Sequence, residues 1–179
     1  MLDGAASWHT GPTVENQSRM RALVVTNMWP SPDAPARGSF VRDQVAALRA
    51  LPGVEVEVFA FPPSGYARAA LALRRRHRGA DFDVVHAHFG LTAWPSLAVR
   101  GVPHAVTLHG TDVRHPRSRR ITRAALRFMD LVATVSAPLA QELDDGARRR
   151  RRPDGRRAVL PCGADTTRFT PLARGPRSR

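Results

Sequence analysis

The chain has 179 residues, of which 42% are hydrophobic, so it can bury the core of one domain. Its single cysteine, Cys162, excludes an internal disulfide framework and indicates a reducing compartment, so we expect a cytoplasmic protein. The sequence has no apolar run of about 18 residues, which excludes a transmembrane helix. Residues 1–19 lack the apolar stretch of a signal peptide and are interpreted as a disordered polar tail.

The net charge of +13 comes from arginine, since the 28 basic residues include no lysine. Eleven of these arginines, against two aspartates, lie from Arg148 onward. This charge is interpreted as a solvated surface, with attraction to an anionic membrane as the alternative. No aromatic residue interleaves the arginines of 148–157, as a stacking platform for single strands requires, so we expect no nucleic-acid partner.

Hydrophobic patterning predicts strands that alternate with helices along the chain. Short apolar runs predict strands at 21–26, 54–61, 82–87, 104–108, 131–135 and 157–160. Apolar residues at helical spacing predict a helix that starts at Ser39, helices over 66–78, 92–99 and 117–129, and a helix that begins around Pro138. This alternation over residues 20–171 predicts one α/β domain with a Rossmann-like, doubly wound and mostly parallel sheet.

Polar and glycine residues concentrate where the predicted strands end. They occur at 27–38, 86–90, 109–112, 136 and 162–165. Because a doubly wound sheet binds ligands at the carboxyl ends of its strands, we expect the site there. Gly38, at the entry to a helix, would let backbone amides approach an anion such as phosphate, although a lone glycine is more often an ordinary turn.

His86 and His88 form a His-x-His pair, which puts both imidazoles on one side of an extended segment. This spacing suits a metal ion, so a metal-dependent hydrolase is one hypothesis. However, Gly90-Leu91 replaces the Asp-His pair of the metallo-hydrolase motif, and no cysteine or nearby glutamate completes a ligand set. We therefore expect no metal, and the alternative role of these histidines is structural.

The segment Thr107-Leu108-His109-Gly110-Thr111-Asp112 gathers an imidazole, a glycine, a hydroxyl and a carboxylate at a strand end. His109 could polarise a substrate hydroxyl, and Asp112 could accept a hydrogen bond from one. The alternative is that Thr111 and Asp112 cap a turn while His109 only packs. A hydrolase nucleophile is disfavoured, because Ser136 lacks the Gly-x-Ser-x-Gly elbow and fits the cap of a helix.

Five blocks of the sequence, in order, resemble the N-terminal domain of the family 4 glycosyltransferases, which are retaining enzymes of the GT-B fold. The blocks are VTNMWP with GSFVR within 25–42, DVVHAH at 83–88, TLHGTD at 107–112, ATVS at 133–136 and LPCGADTTRFTP at 160–171. The resemblance implies the acceptor-binding domain of a two-domain enzyme. In that family a second Rossmann-like domain holds most of the nucleotide-sugar, and transfer requires no metal or other cofactor.

The resemblance also implies roles for single residues. Gly38 would bring backbone amides to the donor diphosphate, and His109 would hydrogen bond to a hydroxyl of the reacting sugar as the catalytic residue. Thr111 and Asp112 would border the acceptor, with His88 in the same substrate-binding set. The implied partners are a nucleotide-sugar and a hydroxyl acceptor, which could be a sugar, a lipid-linked sugar or a small molecule.

The last block resembles the hinge that leads into the second domain of the family. Gly163 and Asp165 would belong to this hinge, and Cys162 stands where asparagine is usual. The Glu-x7-Glu donor motif has no counterpart, and 172–179 is interpreted as a truncated tail, so we expect the chain alone to be inactive. The alternative is a non-catalytic module that docks with a separate donor domain or, through arginines of 74–78 and 148–152, with an anionic membrane on the cytoplasmic face.

Overall fold

The computed structural model describes residues 19–79, 81–147 and 156–163. In these ranges six parallel strands form one sheet, in the order β2-β1-β3-β4-β5-β6. The strands are β1 Met20–Thr26, β2 Val54–Ala60, β3 Val84–His88, β4 His104–Leu108, β5 Leu131–Thr134 and β6 Arg156–Val159. The predicted Rossmann-like α/β fold is confirmed. The predicted tails at residues 1–19 and 172–179 lie outside the described residues except for Arg19, which forms an ion pair with Glu55.

Helices connect the strands, and those predicted over 66–78, 92–99 and 117–129 are shorter than the sequence pattern indicates. They are α1 Ser39–Arg49, α2 Tyr66–Arg76, α3 Ala93–Ser96, α4 Thr111–Arg114, α5 Pro116–Ala125 and α6 Ala137–Ala147, with 3₁₀ turns at Gly90–Thr92 and Leu126–Phe128. The sequence pattern missed the short helix α4, which ends at Arg114; after His115 the next helix, α5, begins at Pro116. Proline ends a preceding helix and favours the first turn of a new one. Within the described residues, no helix has the length and apolar character needed to cross a membrane.

The helices are divided unequally between the two faces of the sheet. Helix α1 packs on one face, here called the α1 face, where Val24 and Val56 meet Val41 and Val45. Helices α2, α3, α5 and α6 pack on the other face, here called the helix-layer face. Its core contains Leu23, Val25, Val85, Val106, Leu108, Val132, Leu73, Ala93, Ala125, Leu126, Leu139 and Leu143. This division follows the alternation of side chains along each strand.

The order of the strands creates a crevice between β1 and β3. The chain crosses to one side of β1 to form β2 and then to the other side to form β3. At such a switch point the connections diverge, and the carboxyl ends of the strands are open to a ligand. Thr26 and His88 pair there as the last residues of β1 and β3. The crevice therefore lies between the loop that follows Thr26 and the loop that follows His88.

Candidate functional site

Gly38 lies in the loop that follows β1, where the end of the loop packs against its start at Met28. It has a left-handed backbone (φ 63°, ψ 24°) and directly precedes α1. A Cβ atom at this position would lie 2.1 Å from the carbonyl oxygen of Met28, so the close approach of the two backbones requires glycine. The first turn of α1 contains no acidic residue. The positive dipole at the amino end of the helix is thus suited to an anion.

His109, His88 and His86 form a row of imidazoles on the α1 face. Nε2 of His109 lies 3.3 Å from Nδ1 of His88, and the two rings are stacked with centroids 5.5 Å apart. The ring of His86 lies 4.4 Å from that of His88, and its Nε2 is 2.8 Å from the hydroxyl of Thr107. Phe40, in the first turn of α1, packs on His109 at 4.7 Å. The structure therefore brings His109, His88 and the amino end of α1 together.

All three imidazoles have lowered pKa values. Burial is the main cause, and it lowers the pKa of His86 to about 4, with a further contribution from the positive charge that His109 would carry. Burial also puts the pKa of His88 well below its usual value, with additional effects of His86 and His109. Burial lowers the pKa of His109, although Asp112 partly offsets this. At neutral pH each ring is therefore uncharged and carries one donor and one acceptor nitrogen.

His109 has one ring nitrogen to offer to a ligand. Its Nε2 faces His88, while its Nδ1 has no hydrogen-bond partner among the described residues. The neutral ring must either donate through Nε2 and keep Nδ1 as an acceptor, or accept at Nε2 and keep Nδ1 as a donor. His88 is only 1% exposed, so it reaches a ligand less readily than it reaches His109. The arrangement therefore favours contact of His88 with His109 over contact with a ligand.

Asp112 joins the ends of β3 and β4. Its side chain is fully buried, and its two carboxylate oxygens accept hydrogen bonds from the amides of Gly90 (3.0 Å), Gly110 (2.8 Å) and His109 (3.2 Å). These bonds occupy the carboxylate oxygens with which Asp112 could otherwise accept a hydrogen bond from a ligand. The adjacent Thr111, in contrast, is exposed. Asp112 therefore holds the loop that carries His109, and Thr111 is the residue of this pair that is open to solvent.

Phe89 has an unusual backbone at the end of β3. Its φ of 83° is the only positive value of a residue other than glycine in the described ranges. Its amide donates to the carbonyl of Thr107 (3.0 Å), and its carbonyl accepts from the amide (2.9 Å) and hydroxyl (2.7 Å) of Thr92. Such a conformation costs about 1–3 kcal/mol and is concentrated at functional sites. No signal in the sequence identified Phe89, because backbone strain leaves no local pattern.

Asn27 and Tyr66 form a second polar group at the crevice, which the sequence did not single out. Asn27 is 7% exposed, and its Nδ2 donates to the hydroxyl of Tyr66 at 2.8 Å. Its Oδ1 is buried without a partner among the described residues. Leaving such an oxygen unpaired costs about 1–3 kcal/mol, so a ligand hydroxyl at this atom would be favoured. The sequence signal that could have identified Asn27 is its position directly after β1.

The remaining sequence candidates are not part of this cluster. The hydroxyl of Ser136 accepts from the amide of Leu139 (3.4 Å) at the start of α6, which is the cap that the sequence predicted. Gly163 has open space around it and Cys162 is exposed, while Asp165 lies outside the described residues. Among the described residues, no three His, Cys, Asp or Glu side chains could hold one metal ion.

A separate cavity of about 560 Å³ lies along β1 and β2. It is lined by parts of β1 and β2, including Arg21, Glu55 and Val56, and by Arg49 of α1. None of the strand-end residues contributes to it. The chemistry of the strand ends, and not the size of this cavity, therefore identifies the site.

Solved structures share the fold of this chain. The first is sucrose-phosphate synthase from Thermosynechococcus elongatus, with a TM-score of 0.65 and 17% identity over 86% of this chain and 51% of that one. A second structure of the same enzyme matches with a TM-score of 0.56 and 16% identity over 82% of this chain and 91% of that one. The present chain thus spans about half the length of the first structure. At this identity the likeness shows the fold of a GT-B glycosyltransferase domain.

Sequence comparison gives the family. Curated protein sequences yield no match. In contrast, the model of glycosyltransferase family 4 matches residues 17–168, which include every described strand and the loops that carry Gly38 and His109. Because this match covers most of the sequence, the chain belongs to glycosyltransferase family 4, a family of enzymes that transfer glycosyl groups.

Proposed function

We propose that this chain is the acceptor-side domain of a retaining glycosyltransferase, which moves a sugar from a nucleotide-sugar to a hydroxyl acceptor. The observation that carries the proposal is the neutral His109, which has one ring nitrogen without a partner in the described residues, next to the amino end of α1. A neutral imidazole can donate to or accept from a sugar hydroxyl without adding charge. A site for transfer from a nucleotide-sugar needs fixed polar groups for the sugar close to an element that binds the anionic leaving group.

In this proposal the two sides of the crevice have different ligands. The amides at the amino end of α1, which Gly38 allows to come close, would stabilise the diphosphate of the donor. The exposed Thr111 would hydrogen bond to a hydroxyl of the acceptor. Hydrogen bonds from backbone amides would therefore stabilise the negative charge of the leaving group, and we propose that transfer requires no metal.

Asp112 and His88 would act through their neighbours. Asp112 would keep the His109 loop in place, and His88 would hold one tautomer of the His109 ring. Catalysis in this scheme depends on position and electrostatics rather than on a protein nucleophile. We also propose that the 179-residue chain alone transfers no sugar, since its sequence lacks the Glu-x7-Glu donor motif and supplies only one wall of the cleft.

A fusion experiment tests the proposal. Residues 1–171 would be joined to the donor domain of another family 4 enzyme, and the fusion and the chain alone would be assayed with UDP- and GDP-sugars and simple sugar acceptors. We expect transfer only in the fusion, with retention at the anomeric carbon by proton NMR. His109→Ala should lower kcat by about 100-fold or more. An inverted product would contradict the retaining mechanism, and turnover by the chain alone would contradict the proposed need for a second domain.

A further inference from the structure

Three large apolar side chains lie together on the outside of the helix layer. Trp94 of α3, Ile121 of α5 and Phe128 in the following 3₁₀ turn are 40%, 49% and 56% exposed. The rings of Trp94 and Phe128 are 6.0 Å apart, and the indole Nε1 of Trp94 donates to the carbonyl of Ile121 at 3.1 Å. Single exposed apolar residues are ordinary, but a contiguous group marks an interaction site. We call these three residues the Trp94 patch.

The residues beneath the Trp94 patch are buried and tightly packed. Thr122, next to Ile121, is fully buried, and its side chain lies where a Cβ atom of Gly90 would be, only 2.3 Å from that position. Ala125 and Leu126 of the same segment belong to the core with Ala93 of α3. Because α3 and α5 are locked together in this way, the patch is preformed and does not require rearrangement to bind.

Arginines surround the patch, and few of them have an acidic partner. Residues 113–129 contain six arginines and no acidic residue. Arg114 is bonded to Glu142. Four of the others are exposed and form no ion pair with a described residue; they are Arg117, Arg119, Arg120 and Arg127. The face therefore combines aromatic and aliphatic side chains with an excess of positive charge.

The same chemistry continues on α2, which packs beside α3 in the helix layer. Leu71 of α2 is 50% exposed, and Arg68, Arg74 and Arg75 are exposed around it. This extension includes part of the 74–78 run that the sequence pointed to, whereas 148–152 lies outside the described residues. Exposed apolar residues and arginines thus occur on three neighbouring helices of one face.

We propose that this helix-layer face docks on an anionic lipid surface. Trp94, Ile121 and Phe128 would enter the headgroup region, where aromatic rings with a polar end are favoured, and the arginines would contact lipid phosphates. The aliphatic side chains Ile121 and Leu71 beside the aromatic rings favour insertion among lipids over stacking on the bases of a nucleic acid. This face lies on the opposite side of the sheet from the His109 ring, so docking on a lipid surface does not depend on sugar transfer by the chain.

Vesicle co-sedimentation of the 179-residue chain tests the proposal. We expect binding to phosphatidylcholine vesicles that contain phosphatidylglycerol, little binding to phosphatidylcholine alone, and weakening with added salt, which screens exposed charges. Ile121→Ser and Phe128→Ser should each weaken binding by about tenfold. Arg120→Gln should weaken it by about fivefold.

Two matched variants serve as controls. Leu51 is 52% exposed and follows α1, on the opposite side of the sheet, so Leu51→Ser should leave binding unchanged. Arg156 begins β6 and pairs with Leu131 in the sheet, and Arg156→Gln removes one charge without changing the helix layer. Circular dichroism of every variant would establish that the fold is retained. Equal losses in the patch and control variants would overturn the proposal, as would equal binding to neutral and anionic vesicles.

Fluorescence identifies the inserted residue. Brominated lipid should quench the tryptophan fluorescence of the wild-type chain, and Trp94→Phe should remove that quenching while it retains most of the binding. Quenching that persists in Trp94→Phe would place another tryptophan in the membrane and refute the assignment. A single-stranded oligonucleotide that binds more tightly than the anionic vesicles, with Phe128→Ser without effect, would identify a nucleic-acid surface instead.

Discussion

The Nδ1 atom of His88 lies 3.3 Å from the Nε2 atom of His109, so the tautomer of one ring determines that of the other. His88 is buried at the last position of β3, whereas His109 follows β4. The two residues are brought together because β3 and β4 are neighbouring parallel strands and His88 pairs with Thr107. In the role that we propose for His109, the ring nitrogen available to a sugar would thus be set by a residue that the sugar need not touch.

Replacement of His88 should release the His109 tautomer. We expect nitrogen-15 NMR of the wild-type chain to show one neutral tautomer of His109, because a single partner faces Nε2. His88→Phe, which keeps the ring but removes the nitrogen, should give a mixture of tautomers. His86→Phe is the control, since His86 bonds to Thr107 and not to His109. An unchanged His109 spectrum in His88→Phe would refute the positioning role.

The buried histidines should make the folded state sensitive to acid. The pKa of His86 is about 4 in the folded chain and near 6.5 in the unfolded chain, and the pKa values of His88 and His109 are also lowered. Between these values the unfolded state binds more protons, so stability is fully present above pH 6.5 and is lost as the pH falls toward 4. Each such histidine contributes at most about 1.4 kcal/mol per pH unit within its window.

Urea unfolding at several pH values measures this effect. The free energy of unfolding should decline from pH 7 to pH 4.5 in the wild-type chain, and His86→Phe should reduce that slope whatever its effect on stability at neutral pH. A slope that is identical in His86→Phe and in the wild-type chain would mean that His86 titrates normally in the folded state.

Gly38 should not tolerate a side chain. Gly38→Ala combines a left-handed backbone with a Cβ atom 2.1 Å from the carbonyl oxygen of Met28, so we expect a loss of roughly 3 kcal/mol in the free energy of unfolding. Gly101 also has a positive φ, of 76°, but a Cβ atom added there would have no heavy atom within 4 Å beyond its chain neighbours. Gly101→Ala should therefore cost only about 1–2 kcal/mol. If both variants lost a similar free energy of unfolding in urea, the contact with Met28 would not contribute to the cost of Gly38→Ala.

Asp112 should be important for stability as well as for the His109 loop. Asp112→Ala removes the acceptor of three backbone amides in a fully buried position, and we expect a loss of about 2–4 kcal/mol. Asp130, which is exposed and accepts one bond from the amide of His104, is the control, and Asp130→Ala should cost about 1 kcal/mol. Hydrogen exchange of the Gly90 and Gly110 amides should accelerate only in Asp112→Ala. Slow exchange of both amides in that variant would contradict the proposed link.

Local pattern was sufficient for the order of the elements. Apolar runs located the strands, and helical spacing located the longer helices. Side chains alternate along a strand and recur about every fourth residue along a helix. The pattern was wrong about the helices predicted over 92–99 and 117–129, since α3 spans only Ala93–Ser96 and α5 ends at Ala125, and it missed the short α4. Proline and tertiary packing overrode helical periodicity at these places.

The sequence by itself determined the α/β fold, the family, the position of Gly38 before a helix and the position of His109 at a strand end. Only the tertiary structure decided that Asp112 binds backbone amides, that His88 faces His109, and that Asn27 bonds to Tyr66, 39 residues away. It also decided that Trp94 and Phe128 meet on one face. The physical reason is that periodicity assigns a side chain to a face, whereas its contacts depend on strand register and on the packing of elements distant in sequence.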